Sequence, residues 1–494
     1  MSTTTTAPTT TTGTDLVALT TAAAQAARIL ARSSAETRAG WLEAIADSLD
    51  AHRDELVAIA DAETHLGVPR LTGEVGRTTG QLRLFARVLR DGGYLEATID
   101  HANPASTPPA PDLRRLLVPL GPIAVFSASN FPFAFSVAGG DTASALAVGC
   151  PVIVKAHSGH IRLSRRTAEL VTEALHAAGA PDGSFALIDG REAGIALVQD
   201  PRITAVSFTG SVAGGRALFD VASARPEPIP FYGELGSINP VVITAAAAAA
   251  RGTDLAAGLA GSFTLGAGQF CTKPGVVFIP AETGFEAALV TAVGDRAPQP
   301  MLTDRIDDAF TAGVTTLGEH AGVEVLLSPD ANPGTATDAA AGARPAVIAT
   351  TAAAVIADPD TLLEEVFGPT TLLVRYTGTA ELDEVLRVLP GSLTATLHAE
   401  PGDDTELIVE RLAHRAGRVL FAGWPTGVAV NWAQHHGGPW PATTTPHTSV
   451  GATAVRRFLR PLAFQDAPES SLPAALHDAN PLGIPRRVDG VLTL

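Results

Sequence analysis

Between Gly121 and Tyr232 the chain alternates short β-rich runs with stretches of helical periodicity, and this alternation restricts the fold more than any other feature. The β-rich runs are residues 123–127, 152–155, 185–188, 205–209 and 229–232; helical patterns fill 134–148, 161–178, 192–199 and 213–222. Neighbouring strands joined through a helix run parallel, because such a crossover cannot be replaced by a tight hairpin turn. The sequence therefore predicts an α/β fold on a parallel sheet, with ligands gathered beyond the carboxyl ends of the strands.

A chain of 494 residues needs more than one lobe, since single cores stop growing at roughly 250–300 residues. From residue 15 to 93 apolar residues such as Trp41, Leu42, Ile45, Ala46 and Leu49 recur at helical spacing, which predicts a helical opening. Residues 94–120 carry Pro104, Pro108, Pro109 and Pro111 ahead of a strand-like run at 113–118. That segment reads as an excursion from the main body, either an oligomerisation arm or a surface hairpin.

Composition excludes several classes of function. A net charge of -17 without a basic run disfavours nucleic acid, which is held by clustered Lys and Arg. The longest apolar stretch, 241–250, stops at Arg251, short of the roughly 18–20 residues of a membrane span. Residues 1–14 are threonine-rich, with neither the basic nor the apolar region of a signal peptide, and are expected to form a disordered tail. Two cysteines, Cys150 and Cys271, make no disulfide framework, so a reducing cytoplasm is the natural setting. Cys150 precedes an apolar strand and reads as packing. His435 and His436 lack a third ligand at fixed spacing, and no metal site is expected.

The residues that follow the strands carry the chemistry. Asn130 offers an amide beside Pro132, which suits a first helical turn. Lys155 ends a strand, with Ser158 just beyond, and Arg191 supplies a second cation. Gly210-Ser211 leads into a helix whose free N–H groups can hold a phosphate, although a simple helix cap explains the same residues. His157 and His160 read as surface or cap residues, and residues 428–432 as a strand. Glu234 lies on the approach to Gly266-Ala-Gly-Gln-Phe-Cys271-Thr-Lys-Pro-Gly275, where a thiol sits among glycines, a glutamine and a lysine. Such a setting fits a reactive cysteine, which needs donors or charge nearby and some exposure.

Taken in series, Asn130-Phe131-Pro132, Lys155, Phe208-Thr209-Gly210-Ser211, Glu234-Leu235-Gly236, Gly268-Gln269-Phe270-Cys271 and Glu365-Val366-Phe367-Gly368-Pro369 resemble the aldehyde dehydrogenase superfamily. Lys155-Ala156-His157, His436-Gly437-Gly438-Pro439 and the tail from Phe464 to Gly483 are similar to its 2-oxoglutarate semialdehyde branch, which in turn resembles NADP-linked fatty aldehyde dehydrogenases. The resemblance implies Cys271 as nucleophile, Asn130 with the Cys271 N–H as oxyanion donors, and Glu234 as the base that activates water. It also implies Gly210 and Ser211 at a pyrophosphate, Lys155 at the adenosine ribose, and Glu365 and Phe367 about the nicotinamide. NAD-preferring relatives commonly carry a glutamate where this chain has Ser158, so NADP is favoured over NAD, with Lys155 and Arg191 in reach.

On the same footing, residues 15–93 and 121–233 are expected to form the cofactor-binding domain and 234–452 the catalytic domain. Residues 94–120 are then the oligomerisation arm, joined by 453–494, and a homodimer is expected ahead of a homotetramer. The partner is a small aldehyde. An oxo-acid semialdehyde would need a cation or amide donors for its far carboxylate, for which Arg456 and Arg457 are candidates; the aromatic loop about Trp432 and Trp440 would equally suit an apolar aldehyde, such as a long aliphatic one. A coenzyme A-dependent enzyme and a non-catalytic binding protein on the same fold are the other readings. Retention of Glu234 argues against the first, and retention of Cys271, Glu234 and Asn130 against the second.

Overall fold

The computed structural model describes residues 13–294, 296–328 and 342–494, so the expected tail lies outside the described residues as far as residue 12. Residue 13 already opens a helix, Gly13–Leu30. Three further helices follow, Ala35–Ala51, Arg53–Thr64 and Val68–Asp91. The last buries Leu71, Val75, Leu82, Phe85 and Leu89 along one stripe and stops at Gly92, whose φ of 75° ends it in the left-handed conformation.

The first sheet runs in the order Phe185–Ile188, Val152–Lys155, Ile123–Phe126, Ala205–Thr209, Phe231–Glu234, all parallel. Its apolar strands are covered on both faces, as parallel sheets require. One face packs Leu42, Leu82, Phe85, Leu146, Leu163 and Val171 from the helices before and between the strands. The other packs Leu16, Leu197, Val198 and Ala222. Cys150 is buried in the first of these cores, where burial pushes its thiol up to about 11.

A second sheet has seven strands, Val323–Leu327, Ala346–Thr351, Thr370–Tyr376, Val276–Pro280, Val241–Ile243, Ser392–His398 and Ala416–Phe421, in that order. The edge strand Val323–Leu327 is antiparallel and the rest are parallel. A third sheet joins Leu113–Pro119 to Leu459–Gln465 along one side and carries Thr98–Asp100, Arg486–Val488 and Val491–Thr493 along the other. Among the described residues no helix is long and apolar enough to cross a membrane.

Several local expectations are corrected. The helix expected over 134–148 begins only at Gly140, because the buried Glu74 carboxylate takes the N–H groups of Phe133 (2.9 Å) and Ala134 (3.0 Å) and holds residues 131–139 in turns. Pro132 therefore begins a turn and not a helix. The last strand of the first sheet is Phe231–Glu234, two residues later than expected, so Glu234 closes the strand. Residues 428–432 form no strand; the strand lies earlier, at Ala416–Phe421, and Arg418 ties the following turn by donating to the carbonyls of Pro425 and Gly427. His160 is buried against the Ala128 carbonyl at 2.9 Å, whereas His157 caps the turn by accepting from the Gly159 N–H.

Candidate active site

The cysteine loop owes its shape to what grips it. After the helix Ala245–Thr264 the backbone reverses through Gly266, Ala267 and Gly268, all at positive φ. A Cβ at Gly268 would lie 2.2 Å from the Gly368 carbonyl oxygen, so only glycine lets the loop touch the segment that carries Glu365. Lys273 fastens the same contact from inside, with Nζ donating to the carbonyls of Val366 (2.8 Å) and Thr370 (2.9 Å). Asn239 donates to the carbonyls of Cys271 (2.8 Å) and Lys273 (2.9 Å), and Gln269 accepts from the Leu302 N–H (2.9 Å).

The loop presents the partly exposed Cys271 thiol to two buried groups. Its Sγ lies 3.6 Å from His436 Nε2, which lies 2.9 Å from Glu234 Oε1; Ser449 donates to Glu234 Oε2 at 2.6 Å. Sulfur, ring nitrogen and carboxylate all fall within 4.8 Å of one another. Burial would raise the Glu234 carboxyl, but the charge and hydrogen bond of His436, with the Ser449 hydroxyl and the Cys271 thiol, outweigh it and hold the group below its ordinary value. The thiol is pushed well up, first by burial and then by the Glu234 charge, against the opposing field of Arg77. A thiol so placed keeps its proton until a neighbouring base takes it.

Asn130 is buried and spends one amide hydrogen on the carbonyl of Gln269, two residues before Cys271, at 3.1 Å, which leaves the other free. Arg70 holds the Asn130 carbonyl at 2.6 Å. The backbone N–H of Cys271 donates to no partner among the described residues. Two unspent donors thus stand beside a thiol and its base, the arrangement that acyl-transfer chemistry at a carbonyl carbon requires.

A family model described as the aldehyde dehydrogenase family matches residues 2–440. The chain belongs to the aldehyde dehydrogenase family. Among curated relatives, "Alpha-ketoglutaric semialdehyde dehydrogenase 2" of Azospirillum brasilense is 51% identical over 463 residues, covering 92% of this chain and 87% of that protein. The alpha-ketoglutaric semialdehyde dehydrogenase of Acinetobacter baylyi is 43% identical, covering 93% and 88%. Among solved structures, the 1-pyrroline-5-carboxylate dehydrogenase from Thermus with bound NAD superposes with a TM-score of 0.76 at 22% identity, covering 92% of this chain and 86% of that one. The protein is an enzyme of this family, whose members oxidise aldehydes to acids, and its fold is theirs.

The other residues read from the sequence lie at strand ends, at helix starts and in the loops between them. Lys155 closes its strand, Ser158 opens the short turn behind it, and Arg191 begins the helix Arg191–Gln199 after the neighbouring strand. Asp189, between these cations, is paired with Arg165 at 2.7 Å. Ser211 caps the helix Val212–Ser223 by accepting from the Gly214 N–H at 3.2 Å. Glu365 accepts from the Ser237 N–H at 3.1 Å, and burial, opposed by the charge of Lys273, raises its carboxyl to about 7. Phe367 is partly buried beside it.

Two candidates for the substrate's far end are displaced. Arg457 is buried in an ion pair with Asp141 (2.8 Å), and Arg456 pairs with Glu96 (2.6 Å), so neither guanidinium is free. Trp432 and Trp440 are about half exposed and form no buried wall. Sequence reading did not assign His436, Ser449 and Lys273 their parts here. His436 stands 165 residues from Cys271 and 202 from Glu234, so no local pattern links them.

Proposed function

We propose that the protein oxidises 2-oxoglutarate semialdehyde to 2-oxoglutarate with NADP as hydride acceptor, through a thiohemiacetal and a thioester on Cys271. The observation that carries the mechanism is the Glu234 carboxylate, hydrogen-bonded to His436 and to the Cys271 thiol, with the Asn130 amide tied to Gln269 in the same loop as that thiol. The names of the two curated relatives support the substrate.

As sulfur attacks the aldehyde carbon, Glu234 takes the thiol proton, and the oxyanion forms against Asn130 Nδ2 and the Cys271 N–H. Hydride loss leaves a thioester on Cys271. Glu234, having released the first proton to solvent, then draws one from the attacking water and returns it to the departing thiolate. His436 donates through Nε2 to the carboxylate, and Ser449 donates to its other oxygen, so the base keeps one orientation through both steps.

The residues fit a nicotinamide dinucleotide. The helix Val212–Ser223 opens at the carboxyl end of the first sheet, and its glycines lie tight against that end: a Cβ at Gly215 would meet Leu235 at 2.1 Å, and one at Gly210 would meet the Phe208 ring at 2.8 Å. Gly210 and Ser211 would hold the pyrophosphate, Lys155 the adenosine ribose, and Glu365 with Phe367 the nicotinamide ribose and ring. When bound, the nicotinamide supplies the hydride acceptor. NADP is favoured because Ser158 is neutral and Lys155 and Arg191 offer positive charge to a 2'-phosphate, while the nearby Asp189 is engaged by Arg165.

The first sheet with its helices serves as the cofactor domain and the second as the catalytic domain in this reading. The third sheet ends in an edge strand whose Val491 and Leu492 are exposed at 63% and 68%, which supports a homodimer joined there. The free thiol at the reaction centre supports a reducing, cytoplasmic setting. The test is an initial-rate assay that follows reduced nicotinamide, crossing NAD and NADP with the oxo-acid semialdehyde, pentanal and a long-chain aldehyde. Cys271→Ala serves as control. Best kcat/KM for the oxo acid with NADP, abolished by the substitution, is expected. Preference for the long-chain aldehyde would overturn the substrate, and activity that survives Cys271→Ala would overturn the mechanism.

A further inference from the structure

Arg77, partly buried on the helix Val68–Asp91, has two guanidinium nitrogens without a partner, where Arg53, Arg70, Arg418 and Arg486 each have one. Arg38, Arg114, Arg225 and Arg457 each spend their guanidinium on carbonyls, a tyrosine hydroxyl or carboxylates. Arg77 Nε and Nη2 are buried without a hydrogen-bond partner among the described residues. Leaving donors of a charged group buried and unspent is costly, so an arginine kept in this state calls for a ligand.

Its surroundings say which. The guanidinium lies 5.1 Å from the Phe135 ring and 5.5 Å from the Phe131 ring. Phe135 is 6.1 Å from the His436 ring, and Phe131, next to Asn130, packs edge-on against Phe270 at 5.3 Å, next to Cys271. Arg77 therefore borders the same aromatic cluster as the thiol, the imidazole and the oxyanion donor. Arg70, about two turns away on the same face of the helix, also stacks on Phe131 and Phe270; its Nη2 is fixed to the Asn130 carbonyl, while its Nη1 is buried without a partner. The nearby acid is Glu74, which spends one oxygen on the N–H groups of Phe133 and Ala134, and whose carboxyl burial raises. Neither Glu74 nor Glu234, whose charges both act on Arg77, bonds its guanidinium, so these donors remain open to an added carboxylate.

We propose that Arg77 receives the carboxylate at the far end of the substrate by a two-pronged guanidinium contact, and so selects an oxo-acid semialdehyde over a neutral aldehyde of equal length. The proposal rests on the substrate class proposed above. Arg77 is the specificity-determining residue in this assignment, and Arg456 and Arg457 are not.

The test compares kcat/KM for 2-oxoglutarate semialdehyde and for pentanal in the wild type, Arg77→Ala and Arg77→Lys, with thermal unfolding of each protein. The ratio of the two values is the readout, because the field of Arg77 also reaches Cys271 and any general effect on the thiol cancels in it. In Arg77→Ala the ratio is expected to fall roughly 10- to 100-fold, mostly through KM for the oxo acid. Arg77→Lys keeps the charge but not the fork, so it gives a smaller fall and carries the test if the alanine protein does not fold. Equal losses on both aldehydes, or an unchanged ratio in a folded variant, would overturn the proposal while leaving the substrate reading intact. A wild type that does not prefer the oxo acid would overturn that reading as well, and would be seen before any variant is made.

Discussion

Lys273→Met removes an ammonium and little else, since methionine keeps the length and the apolar stem. In the fold Nζ donates at 2.8 and 2.9 Å to the carbonyls of Val366 and Thr370, and the side chain is almost wholly buried. Each such charge-assisted bond contributes about 1.5–3 kcal/mol, and both carbonyls would lose their donor. Glu365 would also lose the cation whose charge opposes the effect of burial on its carboxyl. Loss of both bonds, with the two carbonyls left without their donor, sets the expected destabilisation at about 3–5 kcal/mol. Because these carbonyls flank Glu365, which is proposed to hold the nicotinamide ribose, KM for the cofactor should rise more than KM for the aldehyde. Urea unfolding gives the first quantity and initial rates the second. Lys273→Met/Glu365→Gln removes both charges and should recover about 1–3 kcal/mol of the loss. A single variant within about 0.5 kcal/mol of wild type, as a surface substitution would be, or a double variant no more stable than the single one, would refute the reasoning.

Further outcomes follow from the same geometry. Glu234→Gln keeps an acceptor for His436 but cannot act as a base, so steady-state turnover should fall about 10²- to 10⁴-fold; because the thiol then keeps its proton, the initial burst of reduced nicotinamide and the acyl adduct on Cys271, followed by mass spectrometry, should be lost with it. Asn130→Ala should lower kcat about 10²- to 10³-fold with unfolding little changed, as stopped-flow rates beside a thermal melt would reveal. Ser449→Ala deletes a 2.6 Å hydrogen bond that holds the Glu234 carboxyl down, so the acid limb of the kcat/KM profile should move to higher pH. Glu365 titrates near 7 in the fold against an ordinary 4.5, so its contribution to stability is present below about pH 4.5 and is lost as pH rises through about 7. Glu365→Gln should flatten the unfolding free energy over that window in denaturant titrations.

Local pattern alone determined the first sheet. Runs such as Val152–Lys155 and Ala205–Thr209 are apolar and β-rich, and the helices between them leave no partner arrangement but a parallel sheet. It also set Cys271 apart as a thiol among glycines, whereas the roles of Glu234 and Asn130 come from the resemblance to the aldehyde dehydrogenase superfamily. What sequence could not supply was contact across distance. The helix expected from residue 134 waits until Gly140 because a carboxylate from Glu74, on another helix, takes the N–H groups of Phe133 and Ala134. His436 reads in the sequence only as one of two adjacent histidines without a third metal ligand, and the fold brings its Nε2 to Glu234 and Cys271. Arg457 looked available until Asp141 was found against it, whereas Arg77, one arginine among several on an amphipathic helix, was left with donors unspent. Periodicity fixes which face of an element is buried, but the partner that satisfies a buried charge is chosen only when distant segments pack together.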